Sequence, residues 1–479
     1  MGKTKLDESS LPYASIPDLS NALKQREISS KELTKFFLKR LKKYGRDYNC
    51  VACLVEKRAH SDAGDADFDF KLDRVRGAGV KGIPYGAKDL LAVADYPTTW
   101  GAAPFAKQKF DEDAAVISKL DDSGAVLVAK LSMIELAGGG GYSSASASLQ
   151  GPCKNPWNPS YWAGGSSSGS AAAVAAGLVP FALGSETSGS IMTPASYCGV
   201  TGLRPTYGLV SRRGAMALSW TLDKIGVLAR SADDCGLVLR EIAGGDRDDP
   251  SSAQKSFRYA PNYYRRIEDL RIGFAEIDWS EWPDQQLRPA YATALATVKS
   301  LGSKMVETRL PDFPYGLVIG TIIDAEGASV FEPFIRNGAV NQLADQEQIA
   351  GLKAALNYLA TDYLKAMRIR RQVMNALRDL LVEVDVLVAP THFSPPDRAD
   401  QPFDETEPVR PHVKGVGAGL VQASNLAGLP AISIPCGFVN GLPIGMQIVG
   451  QNFDENAILA IARAFQARTD FHKRRPPVG

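Results

Sequence analysis

The sequence lacks the features that mark a nucleic-acid-binding or membrane protein. Its 479 residues carry a formal net charge of only +1, so there is no excess of positive charge to attract nucleic acid or an anionic lipid surface. No apolar run is long enough to span a bilayer. The first residues, MGKTKLDESS, contain no apolar segment of the kind found in signal peptides. We therefore expect a cytoplasmic protein that binds neither nucleic acid nor membrane.

Cysteine is scarce and scattered. The chain has 6 cysteines, spread along its length in a pattern typical of a reducing compartment. Cys50 and Cys53 form a C-x-x-C pair in an apolar, strand-like run, but no second pair of Cys or His lies at metal-binding spacing. We interpret them as buried structural cysteines, with a redox or metal role as the alternative.

Histidine is scarcer still, at 4 residues: His60, His392, His412 and His472. None lies in a segment rich in glycine or serine. A Ser-His-Asp triad would therefore have to be assembled from positions far apart in the sequence, and it stays open as an alternative. The chain also lacks the P-loop pattern and the G-x-G-x-x-G fingerprint of dinucleotide-binding proteins.

What the chain does have is a run of glycine, serine and alanine at residues 164–194. Two serine-rich loops, 164–170 and 184–190, flank a predicted helix of small residues at 171–177, which Gly177 and Pro180 end. Loops of this composition let the backbone approach a ligand and aim successive N–H groups at one point. This geometry suits an oxyanion or a phosphate. The alternative, two flexible linkers, is disfavoured because an apolar helix separates the loops.

A reactive serine needs a base, and Lys88 is the candidate. The residues around it are mostly apolar. Burial there would disfavour the ammonium form and lower the pKa of the amine, so that a neutral lysine could accept a proton. The alternative is an ordinary surface lysine at the end of a strand.

Residues 165–169 also match G-x-S-x-G, the nucleophile elbow of α/β-hydrolases. That motif directly follows a strand. Residues 155–163 contain two prolines and no apolar run, and we predict an irregular loop at 155–159. The match to the elbow motif is therefore interpreted as accidental.

Short apolar strands alternate with helical segments along the whole chain. The prediction includes a short strand that ends at Lys88 and a buried strand of the parallel type at residues 125–129. Such alternation predicts an α/β fold with a large mixed sheet. No repeat and no linker is evident, so we expect a single domain over residues 1–479.

Several motifs occur together and in a fixed order. They are GIPYGAKD (82–89), NPW (155–157), the two serine loops, PASYCGVTGLRPT (194–206), LDKIG (222–226), NLAGLP (425–430) and GLPIGMQ (441–447). In these motifs the chain resembles the amidase signature family over nearly its whole length. The resemblance implies a large mixed central β-sheet covered by helices on both faces. It also implies a signature core at about residues 70–230 and a variable substrate-pocket region at about residues 318–383.

The resemblance further implies a Ser–cis-Ser–Lys triad. By motif position Ser190 is the nucleophile, Ser166 is the bridging serine after a cis Gly165–Ser166 peptide bond, and Lys88 is the base. It also assigns supporting roles: N–H groups that hold the oxyanion (Thr187, Ser188, Gly189 and Ser190), a hydroxyl that orients the triad (Ser185) and contacts to the acyl group (Gly140, Gly141 and Tyr142). No metal or organic cofactor is expected.

The chain departs from the family's pattern beside the triad. Ser168, Glu186, Ser188 and Met192 stand where the family usually has Gly, Asp, Gly and Arg. These changes concern the substrate rather than the class of reaction, and the run GSETSGSIMTPA resembles the branch that includes urethane-cleaving members. We expect a serine hydrolase that cleaves the C–N bond of neutral aryl or hydrophobic amides or carbamates, through an acyl- or carbamoyl-enzyme on Ser190.

Two alternatives stay open. One is the glutaminase subunit of a tRNA-dependent amidotransferase. Such subunits hold glutamine with an arginine and an aspartate, whereas residues 345–360 contain no arginine and Ala418 stands at the aspartate position. The other is a binding scaffold with a vestigial site, which the retained triad residues argue against. The expected partner is a small-molecule amide or carbamate, and a homodimer is left open.

Overall fold

An eleven-stranded mixed sheet crosses the molecule in the computed structural model, which describes residues 9–75, 79–274, 286–403 and 416–478. A separate two-stranded sheet lies beside it. The strands are β1 (Val51–Leu54), β2 (Pro84–Lys88), β3 (Val126–Leu131), β4 (Lys154–Asn155), β5 (Asn158–Trp162), β6 (Phe181–Glu186), β7 (Thr201–Arg204), β8 (Lys224–Ala229), β9 (Arg271–Phe274), β10 (Lys304–Glu307), β11 (Val386–Pro390), β12 (Ala431–Val439) and β13 (Leu442–Gly450).

Helices fill most of the intervals between strands. They are α1 (Ile16–Lys24), α2 (Ser30–Tyr44), α3 (Glu56–Lys71), α4 (Ala115–Asp122), α5 (Ser168–Ala175), α6 (Met192–Cys198), α7 (Ala232–Ile242), α8 (Leu287–Ser300), α9 (Tyr315–Arg336), α10 (Gln346–Ala355), α11 (Ala360–Glu383), α12 (Val416–Leu426) and α13 (Glu455–Arg468). None of the helices in the described part of the chain combines the length and apolarity that a bilayer crossing requires.

The large sheet has the order β1-β3-β2-β6-β8-β7-β12-β13-β11-β9-β10. β2 pairs in parallel with β3 and β6, whereas β8 pairs antiparallel with β6 and β7. Every residue of β2, β3, β6, β8 and β13 is buried, as expected for strands that helices cover on both faces. The predicted α/β fold with a large mixed sheet is confirmed.

Three local predictions were wrong. The helix predicted at residues 171–177 is α5, which spans Ser168–Ala175 and therefore takes up the end of the first serine-rich loop. Residues 155–159 are not an irregular loop but part of the hairpin formed by β4 and β5, in which Asn155 pairs with Asn158. Pro156 lies in the turn and Pro159 on an exposed strand, where a missing N–H is tolerated. The second serine-rich loop is also shorter than predicted. β6 continues to Glu186 because its residues 184–186 pair with residues 224–226 of β8.

Candidate active site

Lys88 is the last residue of β2, at the carboxyl end of the strand. The neighbouring strand β6 runs parallel to it, with Ala87 opposite Leu183, so Ser185 lies at the same edge of the sheet. The carboxyl ends of parallel strands are where α/β proteins commonly place their ligand sites. The short helix α5 brings the first serine loop to this edge.

The Lys88 amine is surrounded by three serine hydroxyls. Its Nζ lies 2.7 Å from Ser166 Oγ, 3.0 Å from Ser167 Oγ and 2.9 Å from Ser185 Oγ. The lysine side chain is fully buried, at 0% exposure. Burial lowers the pKa of Lys88 to about 7, against the opposing fields of Asp223 and Glu186. A substantial fraction of this lysine is therefore a neutral amine at neutral pH.

Ser167 is the contact that sequence reasoning missed. Its hydroxyl donates to the Ser185 carbonyl at 3.0 Å and accepts from the Ser185 N–H at 3.2 Å, which ties the first serine loop to β6. The close approach depends on Gly184, where an added Cβ would lie 3.0 Å from Ser167 Oγ. The sequence offers three adjacent serines at 166–168 and no signal to tell which of them face the lysine.

Ser190 lies beside the first loop but is less buried than its neighbours. The Ser167 N–H donates to the Ser190 carbonyl at 3.2 Å. Ser166 is 1% exposed, whereas Ser190 is half-buried. The Gly165–Ser166 peptide bond is cis, as the resemblance implied. Among the described residues, no hydrogen bond joins the hydroxyls of Ser166 and Ser190.

The turn from Thr187 to Ser190 leaves a set of backbone donors unused. Within the described residues, no hydrogen bond uses the N–H groups of these positions: Thr187, Ser188, Gly189 and Ser190. The Thr187 side chain is held from the other side, because its hydroxyl donates to Asp223 Oδ1 at 2.6 Å.

A buried carboxylate closes this turn. Glu186 Oε2 accepts from the N–H groups of Ile191 and Met192, at 2.8 and 2.9 Å. Glu186 Oε1 accepts from Arg204 at 2.5 Å and from Asn425 at 2.8 Å. Burial opposes ionisation of Glu186, but Arg204 and these hydrogen bonds outweigh it and lower its pKa to about 2. The carboxylate is therefore charged and joins both ends of the turn that carries Ser190.

The reason given for setting aside the nucleophile-elbow match was wrong, and the accidental match stays an interpretation. A strand, β5, does end just before Gly164, yet it belongs to the small hairpin and not to the central sheet. In that motif Ser167 would be the nucleophile, and here it faces Lys88 and Ser185. His392 Nε2 lies 2.7 Å from Thr193 Oγ1, in the helix α6 that follows the second loop. His412 lies outside the described residues.

The glycine cluster and Tyr142 contact a helix and a group of aromatic rings. Gly140 packs its backbone against α10, and Tyr142 contacts the rings of Trp162 and Phe403. A cavity of about 440 Å³ reaches Ser185 and Thr187, but Gly140, Gly141, Tyr142 and residues 318–383 do not line it. Their contact with substrate stays a prediction.

No metal site is evident in the part of the chain that the structure describes, where no group of three or more His, Cys, Asp or Glu side chains could hold an ion. Cys50 and Cys53 are free thiols. Burial raises the pKa of the Cys53 thiol to about 11 and that of Cys50 well above its usual range, so neither is a reactive thiolate.

A family model for amidases matches residues 32–459. The chain belongs to the amidase family. This match covers most of the chain and includes the strands and loops that carry Lys88, Ser166 and Ser190. The chain is accordingly an amidase-family C–N hydrolase of α/β fold.

Relatives of this amidase-family chain include a component of a larger enzyme and a peptide amidase. The chain is 35% identical to the A subunit of glutamyl-tRNA(Gln) amidotransferase from Nitrosococcus oceani, over 97% of this chain and 99% of the relative. The solved structure of the corresponding protein from Thermotoga maritima matches with a TM-score of 0.78 and 27% identity, over 100% of both chains. The peptide amidase of Stenotrophomonas maltophilia matches with a TM-score of 0.81 and 29% identity, over 97% of this chain and 98% of that one.

Proposed function

We propose that this chain hydrolyses neutral amides or carbamates, with Ser190 as nucleophile, Ser166 as proton relay and Lys88 as base. The observation that carries the proposal is the fully buried Lys88 amine, 2.7 Å from Ser166 Oγ and with its pKa lowered to about 7. A general base works best when its pKa lies near the working pH. Ser166, in turn, stands in the loop whose Ser167 N–H binds the Ser190 carbonyl.

The hydrogen-bond pattern around Lys88 supports a relay through Ser166. A neutral amine has two N–H donors and one lone pair, so one of its three hydroxyl neighbours must donate to it. Ser167 is excluded as that donor because its proton is used by the Ser185 carbonyl. The donor is therefore Ser166 or Ser185, and Ser166 is the one on the loop next to Ser190.

In the proposed reaction, the first step, formation of the ester on Ser190, needs only the protons of Lys88, Ser166 and Ser190. Lys88 takes the Ser166 proton, Ser166 takes the Ser190 proton, and the Ser190 oxygen attacks the carbonyl carbon. The C–N bond breaks as the proton returns through Ser166 to the leaving nitrogen. Water then hydrolyses the ester left on Ser190 by the same proton path. With a carbamate this ester is a carbonate and not the carbamoyl-enzyme expected from the sequence, because cleavage of the C–N bond removes the nitrogen.

The unused N–H groups of the turn support stabilisation of the oxyanion. Thr187, Ser188, Gly189 and Ser190 present backbone donors that no described group accepts from. Removing one such donor from an oxyanion site typically costs about 10²–10³ in rate. Glu186 holds the turn in place by accepting from the N–H groups of Ile191 and Met192.

A second candidate function is that of an amidotransferase glutaminase subunit. The similarity to the A subunit of glutamyl-tRNA(Gln) amidotransferase, at 35% identity over 97% of this chain, favours it. Against it stand the two positions that would hold glutamine. Residues 345–360 supply no arginine, and Ala418 replaces the aspartate. A zwitterionic substrate would then lose its charged partners, which is costly in a desolvated site.

The test is hydrolysis by the purified chain without any partner. A matched aryl amide and aryl carbamate are offered to the wild type, to Ser190→Ala and to a control, Ser300→Ala, which changes an exposed serine at the end of α8. We expect arylamine release by the wild type and the control only. Release that survives in Ser190→Ala contradicts the assignment of the nucleophile.

Two other results would overturn the free-standing hydrolase. Ammonia release from glutamine only after the other amidotransferase subunits are added would favour the second candidate. No release under any condition, together with no covalent labelling of Ser190 by a fluorophosphonate, would indicate a vestigial site.

A further inference from the structure

The cavity of about 440 Å³ has no role in the proposed reaction. Most of its wall comes from residues 207–225 and from the connection at residues 248–251. Lys88, Ser166 and Ser190 do not line it. Its volume is nevertheless that of a typical small-molecule site, so its side chains indicate what it could bind.

The Arg212 guanidinium in this wall has only hydroxyl groups as partners. Its Nε donates to Ser251 Oγ at 3.0 Å, and its Nη2 donates to the Tyr207 hydroxyl at 3.3 Å. The guanidinium carbon lies 5.1 Å from the centre of the Tyr207 ring, which orients the group. A guanidinium has five N–H groups, so most of those of Arg212 have no partner among the described residues. A planar carboxylate is the ligand group that such a fork binds best.

Asp249 does not take the place of that carboxylate. Its Oδ2 accepts from the Arg212 backbone N–H at 2.7 Å, and its Oδ1 accepts from the Ser251 N–H and hydroxyl at 2.8 and 2.6 Å. Ser251 thus connects this carboxylate to the guanidinium. Arg213, the other arginine in the wall, is paired with Asp246 at 3.3 Å. Arg212 is therefore the cation that the cavity offers to a ligand.

Asp248 supplies a charge of the opposite sign at the same cavity. Its side chain is exposed and belongs to the cavity wall. Its backbone N–H donates to Asp246 Oδ1 at 3.0 Å, but no hydrogen bond or ion pair within the described residues uses its carboxylate. An ammonium group of a ligand would find a partner there.

The charged side chains that line the cavity are balanced in sign. They are Arg212, Arg213 and Lys224 on one side and Asp223, Asp248 and Asp249 on the other. Burial raises the pKa of Asp223 and lowers that of Lys224, so the loss of both charges would keep the balance. A ligand of one charge would use only one of the two open groups, whereas a zwitterion uses both.

The rest of the wall is apolar and partly aromatic. Leu90, Met216, Leu218 and Ile225 are buried and line the cavity. Trp220, which is 50% exposed, lines it as well. Such walls suit an aromatic ring, because a ring combines a large buried area with favourable contacts to other rings.

We propose that this cavity binds a zwitterionic α-amino acid with an apolar, preferably aromatic, side chain. Its carboxylate lies on Arg212, its ammonium on Asp248 and its side chain against the apolar wall. The inference does not depend on the proposed function, because the proposed catalytic residues do not line the cavity. Ser190→Ala should therefore bind the amino acid as the wild type does.

The test is calorimetric titration with probes that share one aromatic ring. They are L-phenylalanine, 3-phenylpropanoate, which lacks the ammonium, and 2-phenylethylamine, which lacks the carboxylate. We expect the wild type to bind L-phenylalanine about 3–5-fold more tightly than 3-phenylpropanoate, because Asp248 is exposed. It should bind 2-phenylethylamine at least about 10-fold more weakly than L-phenylalanine, because Arg212 is half-buried. L-Glutamine should also bind at least about 10-fold more weakly, because its amide would lie against the apolar wall.

Two variants each remove one charge of the site. Arg212→Gln should weaken L-phenylalanine and 3-phenylpropanoate at least about 10-fold and change 2-phenylethylamine by less than about 2-fold. Asp248→Asn should weaken L-phenylalanine about 3–5-fold and change 3-phenylpropanoate by less than about 2-fold. Arg247→Gln is the matched control, because Arg247 is exposed and outside the cavity wall. Asp248 is exposed, so Asp248→Asn keeps the inference testable if Arg212→Gln does not fold.

Several outcomes would overturn the inference. Equal losses for the three probes in folded Arg212→Gln would show a structural effect rather than a carboxylate partner. L-Phenylalanine bound no more tightly than either analogue, or than L-glutamine, would contradict the zwitterionic or the apolar part of the site. Loss of L-phenylalanine binding in Ser190→Ala would move the amino acid to the catalytic site. Arylamine release tests the proposed function separately, and its failure would leave these binding results unchanged.

Discussion

Lys88 and Lys130 are both fully buried, but their amines have different partners. Lys130 Nζ lies 2.8 Å from Asp89 Oδ1, so its charge is paired. Lys88 has only hydroxyl groups within hydrogen-bond distance. Because an ammonium without a counter-ion is costly in a buried site, the neutral form of Lys88 is favoured. The difference lies in the partner, since both side chains are 0% exposed.

This difference predicts the pH dependence of activity. Burial lowers the pKa of Lys88 to about 7, and the base is active only when neutral. We expect kcat/KM to rise with pH and to level off above about pH 7, as a single ionisation. Lys88→Met should lower kcat by about 10²–10⁴-fold, and Lys88→Arg should be equally inactive because arginine stays charged. A profile that is flat on the acid side would contradict the assignment of Lys88 as base.

At the level of single residues, the sequence predicts the chemistry of a side chain better than it predicts which atoms that side chain contacts. The apolar neighbours of Lys88 suggested burial and a depressed pKa, but from composition alone an ordinary surface lysine at the end of a strand stayed open, and the structure shows that the side chain is buried. The role of Ser167 could not be predicted, because which of three adjacent serines faces the lysine depends on how helix α5 is rotated. That rotation depends on close packing at Gly169, where an added Cβ would lie 2.5 Å from the Cys50 carbonyl oxygen.

The turn between β6 and α6 is held by one buried ion pair. Glu186 and Arg204 are both 0% exposed, and their charged atoms lie 2.5 Å apart. Arg204 also donates to the Leu429 carbonyl and to Ser424. Met192, where the family usually has arginine, supplies no charge of its own, so Arg204 is the cation that stabilises Glu186 in this chain.

Replacing both members of this ion pair should destabilise the protein by less than the two single replacements add up to. We expect Glu186→Gln to lower the free energy of unfolding by about 3–5 kcal/mol, because it leaves the Arg204 guanidinium buried without a charge partner. The double variant Glu186→Gln/Arg204→Met should lose less than the sum of the two single variants. Urea denaturation of all four proteins measures the coupling, and strictly additive losses would show that the pair does not act as a unit.

Two adjacent glycines provide a matched test of how α10 packs on the glycine cluster. Gly140 and Gly141 share a φ of +85°. An added Cβ at Gly140 would lie 2.7 Å from the Leu352 nitrogen, whereas nothing lies within 4 Å of one at Gly141. Gly141→Ala should cost about 1–2 kcal/mol from backbone strain alone. Gly140→Ala should cost about 1–3 kcal/mol more. Equal losses in urea denaturation would mean that α10 moves aside freely.

At the level of elements, periodicity and composition predicted the types but misplaced some boundaries. The sequence 184–190 looks like one loop because glycine and serine dominate it. Its first part is nevertheless strand β6, since residues 184–186 find antiparallel partners in β8. Pairing between distant segments cannot be deduced from local composition. The hairpin at residues 154–162 was missed for another reason, because its two prolines, Pro156 and Pro159, are typical of a loop.

For the whole molecule we propose that residues 1–479 form a single domain. The sheet joins segments from distant parts of the chain, because β7 pairs with β12, with Leu203 opposite Ile432. The Arg230 side chain also donates to the carbonyls of His472 and Arg474. Residues near position 200 and residues beyond position 430 therefore share one core.

This arrangement predicts cooperative unfolding of the described core. Urea transitions followed by far-UV circular dichroism and by tryptophan fluorescence should coincide. A fragment that ends at residue 250 lacks β12 and exposes the edge of β7, so we expect it to aggregate or stay unfolded. Two separated transitions, or a fragment with a sharp transition of its own, would instead place a domain boundary after α7, where the signature core gives way to the variable region.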